Sequence, residues 1–281
     1  QADCKDLTIE SGAILTIEDG GSLITVGTAI NNGTFNVEKD LLFDRWYLIS
    51  SPVSNALSEI FEGHFLQKWN ETTGLWSDVS SLTEQLTPAK GFGFYGQLPE
   101  KPAGDTFIFS GTPNTGNQSP TVSWTNVAEY GFDGANLLGN PYTSSIDWSQ
   151  LDNDWGAVYY FDANLGAEGD YASWNDGVPV DGGTQFIPPM QGFIIVVDEI
   201  DNGTTVNFTA ANQSHSGATN YFKNKAEIEN SIRLITSYGE YKTEMVIKFN
   251  ETASSGFDKE YDAYRFSNNT VGASQIYSLV D

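Results

Sequence analysis

The sequence predicts an all-β protein: a tandem, duplicated antiparallel β-sandwich, jelly-roll-like, preceded by a short β-ladder or β-solenoid-like segment. Three observations carry this expectation. The apolar content, 39 % hydrophobic and 13 % aromatic, is rich in Phe, Tyr, Trp, Ile and Val, which suit a pleated, half-buried surface. The 28 glycines and 10 prolines punctuate short apolar runs, as turns between short strands require. One series of strand-like segments also occurs twice in the same order.

The ladder comes first. In "LTIESGAILTIEDGGSLITVGTAINNGTFNVE" the β-branched triplets Leu7–Ile9, Leu15–Ile17 and Leu23–Val26 alternate with Gly12, Gly20, Gly21 and Gly27. Short strands and glycine turns at near-constant spacing suit a stacked β-ladder. So few rungs cannot bury a core alone, so residues 1–40 are expected to lean on a neighbour.

The duplication follows. "WYLISSPVSN" (46–55) matches "ANLLGNPYTS" (135–144), with Leu48 on Leu137 and Pro52 on Pro141. "FLQKWNETTGLWSD" (65–78) matches "AVYYFDANLGAEGDYASWND" (157–176), each a strand, a tight Gly-containing loop and a strand. "LTPAKGFGFYG" (86–96) matches "FIPPMQGFIIVV" (186–197), aligning Pro88 with Pro189, Gly91 with Gly192 and Phe92 with Phe193. "TFIFSGTPNTG" (106–116) matches "TVNFTAANQSH" (205–215). The expected units are 41–130 and 131–225, each of ordinary sandwich size. A third region, 226–281, opens on a hairpin at 232–249 and continues through "SQIYSLV" toward further strands.

These residues carry a resemblance. The series "WYLISSPVSN", "ANLLGNPYTSSIDW", "FIPPMQGF" and "SSGFDKEYDAYRF…QIYSLV" resembles the C-terminal β-rich region of exported and cell-surface proteins of Bacteroidetes. These are type IX secretion system substrates, among them large adhesins and multidomain polysaccharide-degrading enzymes. The resemblance implies an extracellular or cell-surface location and an adhesive or structural role. A carbohydrate-binding accessory module is the alternative it allows. Nothing after Tyr277 resembles the basic sorting motif that ends such proteins, so the chain reads as an excised or processed piece.

Charge and chemistry narrow the function. Against 37 Asp and Glu stand 13 Lys and Arg, a net charge of −24. Phosphate binding needs clustered basic residues, so nucleic acid and anionic membranes are not expected partners. A polysaccharide or another surface protein is. No stretch is long and apolar enough to insert in a membrane. The single cysteine, Cys4, excludes an internal disulfide and a Cys-based zinc site. For Ser chemistry, Ser144 and Ser145 have only His64 and His215 to draw on, and no G-x-S-x-G elbow is present.

Trp148, Trp155, Tyr171 and Trp174, set among aspartates, are the candidate ligand-binding residues of a sugar cleft. The competing expectation is that they fill the sandwich, as Trp69 and Trp76 would in the first copy. "DANLGAEGD" offers Asp162, Asn164, Glu168 and Asp170 as candidate Ca²⁺ ligands, with "DNDW" (152–155) a weaker second site. The loop is no EF-hand, because Ala167 and Ser173 stand where Gly and Glu are needed. The first copy has only "NETTG" at this place, with Glu71 its one carboxylate, so the hairpin is expected to close without a metal.

Overall fold

The computed structural model describes residues 1–97, 104–127, 132–152, 155–165, 168–217, 228–239, 241–266 and 275–279. Among them the chain is all-β, its only helical pieces being four short 3₁₀ turns. No helix among them is long and apolar enough to cross a membrane.

The first strands are β1 (Ala2–Cys4), β2 (Leu7–Ile9), β3 (Ile14–Ile17), β4 (Leu23–Thr25), β5 (Ala29–Asn31) and β6 (Thr34–Leu42). They pair in parallel one coil apart: Ala2 lies opposite Leu23, Leu7 opposite Ala29, and Ile14 opposite Thr34. Neighbouring triplets are therefore successive sides of a coil, and each meets the strand three places on. Ile9, Ile17 and Leu23 point inward and join one core with Phe35, Val37, Phe94, Phe107 and Phe109. The coil thus completes its burial on the first sandwich, as two turns must. Strand β6 runs through the expected boundary at residue 40 and serves both units.

The first copy comprises β7 (Trp46–Ile49), β8 (Val53–Ser54), β9 (Phe65–Asn70), β10 (Leu75–Asp78), β11 (Phe92–Tyr95), β12 (Gly104–Ser110) and β13 (Thr112–Pro113). One sheet has the order β10-β9-β11-β7, and facing it across the core is β12-β6-β3. The second copy comprises β14 (Ala135–Gly139), β15 (Ser145–Asp147), β16 (Val158–Asp162), β17 (Asp170–Asn175), β18 (Val178–Val180), β19 (Phe186–Ile187), β20 (Gly192–Val196) and β21 (Gln213–Ser214). Its sheet β14-β20-β16-β17-β18 repeats the order of the first with one strand added. The register repeats too: Phe92 pairs with Ile49, and Phe193 pairs with Leu138. The expected boundaries at 130 and 225 fall outside the described residues.

The two sheets meet through the P-x-x-G-F segments. Ala89 and Met190 both take φ of 60°, which turns each carbonyl toward the other copy. Gly139 N donates to Ala89 O at 3.0 Å, and Ser50 N donates to Met190 O at 2.9 Å. The bridges Lys90–Leu138 and Ile49–Gln191 are likewise one contact seen from each side. The contact is isologous, an internal counterpart of a C2 interface. It leaves no space at Gly91 or Gly192: a Cβ on Gly91 would lie 2.5 Å from Leu138 O, and one on Gly192 2.9 Å from Ile49 N.

Beyond the second copy, β22 (Ser231–Tyr238) and β23 (Tyr241–Lys248) form the expected hairpin. It packs on β18, and the segment 257–266 lies over β16 and β17. Residues 275–279, expected to be a strand, form none.

Candidate functional site

A cleft of about 480 Å³ opens where the second sheet meets the hairpin and the 257–266 segment. Its walls include Tyr159, Tyr171, Phe257, Glu244, Arg265 and Phe266. Phe266 packs on Tyr159 at 4.5 Å and on Tyr171 at 5.4 Å between ring centroids. Burial pushes the Tyr171 hydroxyl up to about 12, with the Asp170 charge adding to it.

Behind the rings lies a charge cluster. Arg265 donates to Asp170 Oδ2 at 2.9 Å and to Asp181 Oδ2 at 3.2 Å. Arg233 pairs with Glu244. Asp181 and Glu244 also exchange hydrogen bonds: Asp181 N donates to Glu244 Oε1 at 2.7 Å, and Glu244 N donates to Asp181 Oδ1 at 3.1 Å. Three carboxylates share two guanidinium groups. The Asp181 side chain is 7 % exposed. Burial pushes its carboxyl up to about 7, Arg265 pulls it down, and Glu244 and Asp170 push it further up. Asp181 does not itself line the cleft, and an ion-pair network of this kind perturbs a carboxyl as a functional site does. The cleft thus offers aromatic rings and the Arg265 guanidinium, with the shared carboxylates behind.

The candidate aromatics separate into two places. Trp148 and Trp155 are 5 % and 6 % exposed and belong to the second core, with Trp174 packed against it. Trp148 stands edge-on to Phe193 and donates Nε1–H to Gly156 O at 3.1 Å. The three tryptophans do line one smaller cleft, about 260 Å³, with Asp152, Asn175 and Asp176. Tyr171 is three positions before Trp174 on β17, so it faces the opposite side of the sheet, in the larger cleft.

The candidate calcium residues have structural partners. Asp162 Oδ1 accepts from Asn164 N at 2.8 Å, closing an Asx turn. In the first copy Asn70 Oδ1 accepts from Thr72 N at 3.1 Å in the same turn, with a neutral side chain. Burial raises the Asp162 carboxyl, and the Asn164 hydrogen bonds and Arg45 offset part of that. Asn164 Oδ1 accepts from Arg45 Nη1 at 2.6 Å, Asp170 is held by Arg265, and Glu168 is exposed. Residues 166–167 of this loop lie outside the described residues, as do 153–154 of "DNDW". Among the described residues, no group of three or more His, Cys, Asp or Glu is placed to hold a metal ion.

A family model described as a domain of unknown function, DUF8693, matches residues 3–281. The chain belongs to the DUF8693 family. No curated protein and no solved structure matches it. The DUF8693 match spans the coil, both copies and the hairpin together.

In this DUF8693 chain the two histidines do not meet the serines of "TSSIDW". Ser144 Oγ donates to Gln213 Oε1 at 2.8 Å. His64 sits in a cage of Phe43, Phe94 and Phe107, its Nδ1 accepting from Gln97 N. His215 instead reaches back to the coil: Nδ1 lies 2.7 Å from Ser22 Oγ, and Nε2 lies 3.2 Å from Asp3 Oδ1. That order of groups resembles a triad, but Ser22 is buried and packed into the seam between coil and second copy. Sequence reasoning missed this contact because 193 residues separate its partners. Asn140 was missed as well. Fully buried, it donates to Ser144 O, Ile187 O and Pro188 O and accepts from Tyr142 N.

Proposed function

We propose that this chain is a non-catalytic, extracellular β-sandwich module of a secreted or bacterial cell-surface protein, with an adhesive or structural role. The observation that supports it is the internal bonding of the three parts. The coil shares its core with the first copy, and the copies share a two-sided backbone contact. Polar groups that look like chemistry in the sequence are engaged in turns and seams, as with Asp162 in its Asx turn and His215 on Ser22. The surface location rests on the resemblance to type IX substrates, and the high negative charge suits an exposed, soluble surface. Antibody labelling of intact cells of the source organism tests it, together with an attachment assay on a strain lacking this segment. Labelling only after lysis, or unchanged attachment, overturns the proposal.

The second reading is a carbohydrate-binding accessory module of a polysaccharide-degrading enzyme. The cleft lined by Trp148, Trp155, Trp174 and Asp176 favours it. A glycan array tests this reading, with Trp155→Ala and Trp174→Ala as variants, and binding to no polysaccharide removes it.

A further inference from the structure

The outer face of the first copy's sheet carries a row of aromatic side chains that the second copy lacks. Tyr95 on β11 lies opposite Trp46 on β7 and Phe65 on β9, so three rings stand side by side across three strands. Their centroids are 5.3 Å apart for Trp46–Tyr95 and 6.3 Å for Phe65–Tyr95. Trp46 is 37 % exposed, Phe65 48 % and Trp76 37 %, large values for such side chains. Two residues along, on the same face, Gly93 lies between Leu48 and Gln67, and the Trp76 ring lies over Gly93. Gln67 Nε2 donates to Asp78 Oδ1 at 2.8 Å, which sets an amide and a carboxylate among the rings.

The repeat provides an internal comparison. Trp46 corresponds to Ala135, Tyr95 to Val196 and Trp76 to Tyr171. In the second copy those smaller residues make room for the chain's own Phe132 and Phe266, which stack 4.3 Å apart and close that face. The first copy fills the same positions with large rings and leaves them open. An exposed apolar row on an otherwise strongly acidic molecule marks an interaction surface.

Resting on the carbohydrate-binding reading but placing it on a different face, we propose that Trp46, Tyr95, Phe65 and Trp76 form a platform for a neutral polysaccharide. Ring faces suit the C–H faces of sugar rings, and Gln67 and Asp78 suit their hydroxyls. Net charge disfavours anionic occupants. The Asp78 carboxylate on this face is tied to Gln67, so the face offers rings and hydroxyl-sized polar groups more than charge. A second copy of the chain, an acidic glycan and a nucleic acid would each bring negative charge against a net −24, and a neutral glycan would not.

The test is retention of the purified chain on microcrystalline cellulose, on chitin, and in native gels containing a soluble neutral α- or β-glucan. Wild type is compared with Trp46→Ala/Phe65→Ala and with Trp174→Ala, and each is run in sedimentation velocity. The expected result is retention on at least one neutral polysaccharide, lost tenfold or more in the double variant with its melting midpoint unchanged, and kept in Trp174→Ala. Should the double variant misfold, the milder Phe65→Ser, which removes one ring, is expected to weaken retention severalfold. Equal retention by wild type and platform variants, with loss in Trp174→Ala, overturns the platform and leaves the carbohydrate reading standing. No retention of wild type overturns both. Self-association that the double variant abolishes, without retention, also overturns it and makes this face a dimer surface.

Discussion

Asp181 makes stability depend on pH in a way that can be worked from its surroundings. Its carboxyl has an ordinary value of 3.8 and stands at about 7 in the folded chain, because burial outweighs the attraction of Arg265. A carboxyl raised by folding holds its proton more tightly in the folded state. Its contribution is therefore fully present below about pH 4 and is lost as pH rises through about 7. Each tenfold gain in proton affinity is worth about 1.4 kcal/mol, so the folded chain loses roughly 2–3 kcal/mol from this group between pH 5 and pH 8. The groups facing it are Arg265 and Asp170 from one side and Glu244, with Arg233 behind, from the hairpin. Asp181→Asn keeps an acceptor for Glu244 N and carries no proton to lose. The assay is urea unfolding of both proteins at pH 5, 6, 7 and 8, followed by tryptophan fluorescence. The variant's stability is expected to gain on the wild type by that amount across the range, whatever its starting offset at pH 5. Parallel curves would refute the reasoning, because acids common to both proteins cancel in the difference.

The remaining expectations concern the seam, the buried turn and the acidic loop. Gly192→Ala places a Cβ against the Leu48–Ile49 backbone, and overpacking of this kind costs about 1–3 kcal/mol, read in chemical denaturation. An unchanged midpoint would mean the copies are not docked as described. Asn140→Ala strips three buried carbonyls of a donor and is expected to cost about 3 kcal/mol, visible as a lower melting temperature. Asp162→Asn reproduces the neutral turn of Asn70 and should leave thermal stability at pH 7 unchanged or raised. A chelator should not move the melting midpoint of either protein. Sensitivity to chelator in the wild type, lost in Asp162→Asn, would establish a calcium site there.

What the sequence revealed and concealed follows from how local each signal is. The duplication was legible because Pro88, Gly91 and Phe92 recur as Pro189, Gly192 and Phe193 for steric reasons that act at each position. The left-handed turns at Ala89 and Met190 were not legible, since neither residue type signals positive φ. Their conformation is imposed by the other copy, which takes the carbonyls. The ladder's strands were visible in their triplets, but parallel pairing a whole coil apart leaves no mark between neighbours. Among the candidate site residues, Trp148 and Trp155 admit both a core and a sugar-cleft reading, with the core favoured, because burial and sugar binding call on the same side chains. The row at Trp46, Tyr95 and Phe65 could not be seen at all, since only the sheet register assembles it.

The latch between the coil and His215 has a consequence in time. Leu23 N donates to Thr143 O, Thr143 Oγ1 returns a bond to Leu23 O, and Ser22 waits for His215. During synthesis these partners emerge well over a hundred residues after the strands they close on. At typical elongation rates the last of them arrives roughly 10–40 s later. Until then the parallel coil stands with part of its corner unpaired, exposed to wrong partners. The coil's strands therefore complete their pairing only once the far end of the second copy has been made, with the hairpin still to follow. Truncations that stop before residue 215 should leave the N-terminal coil open to protease, though every residue of the coil itself is present.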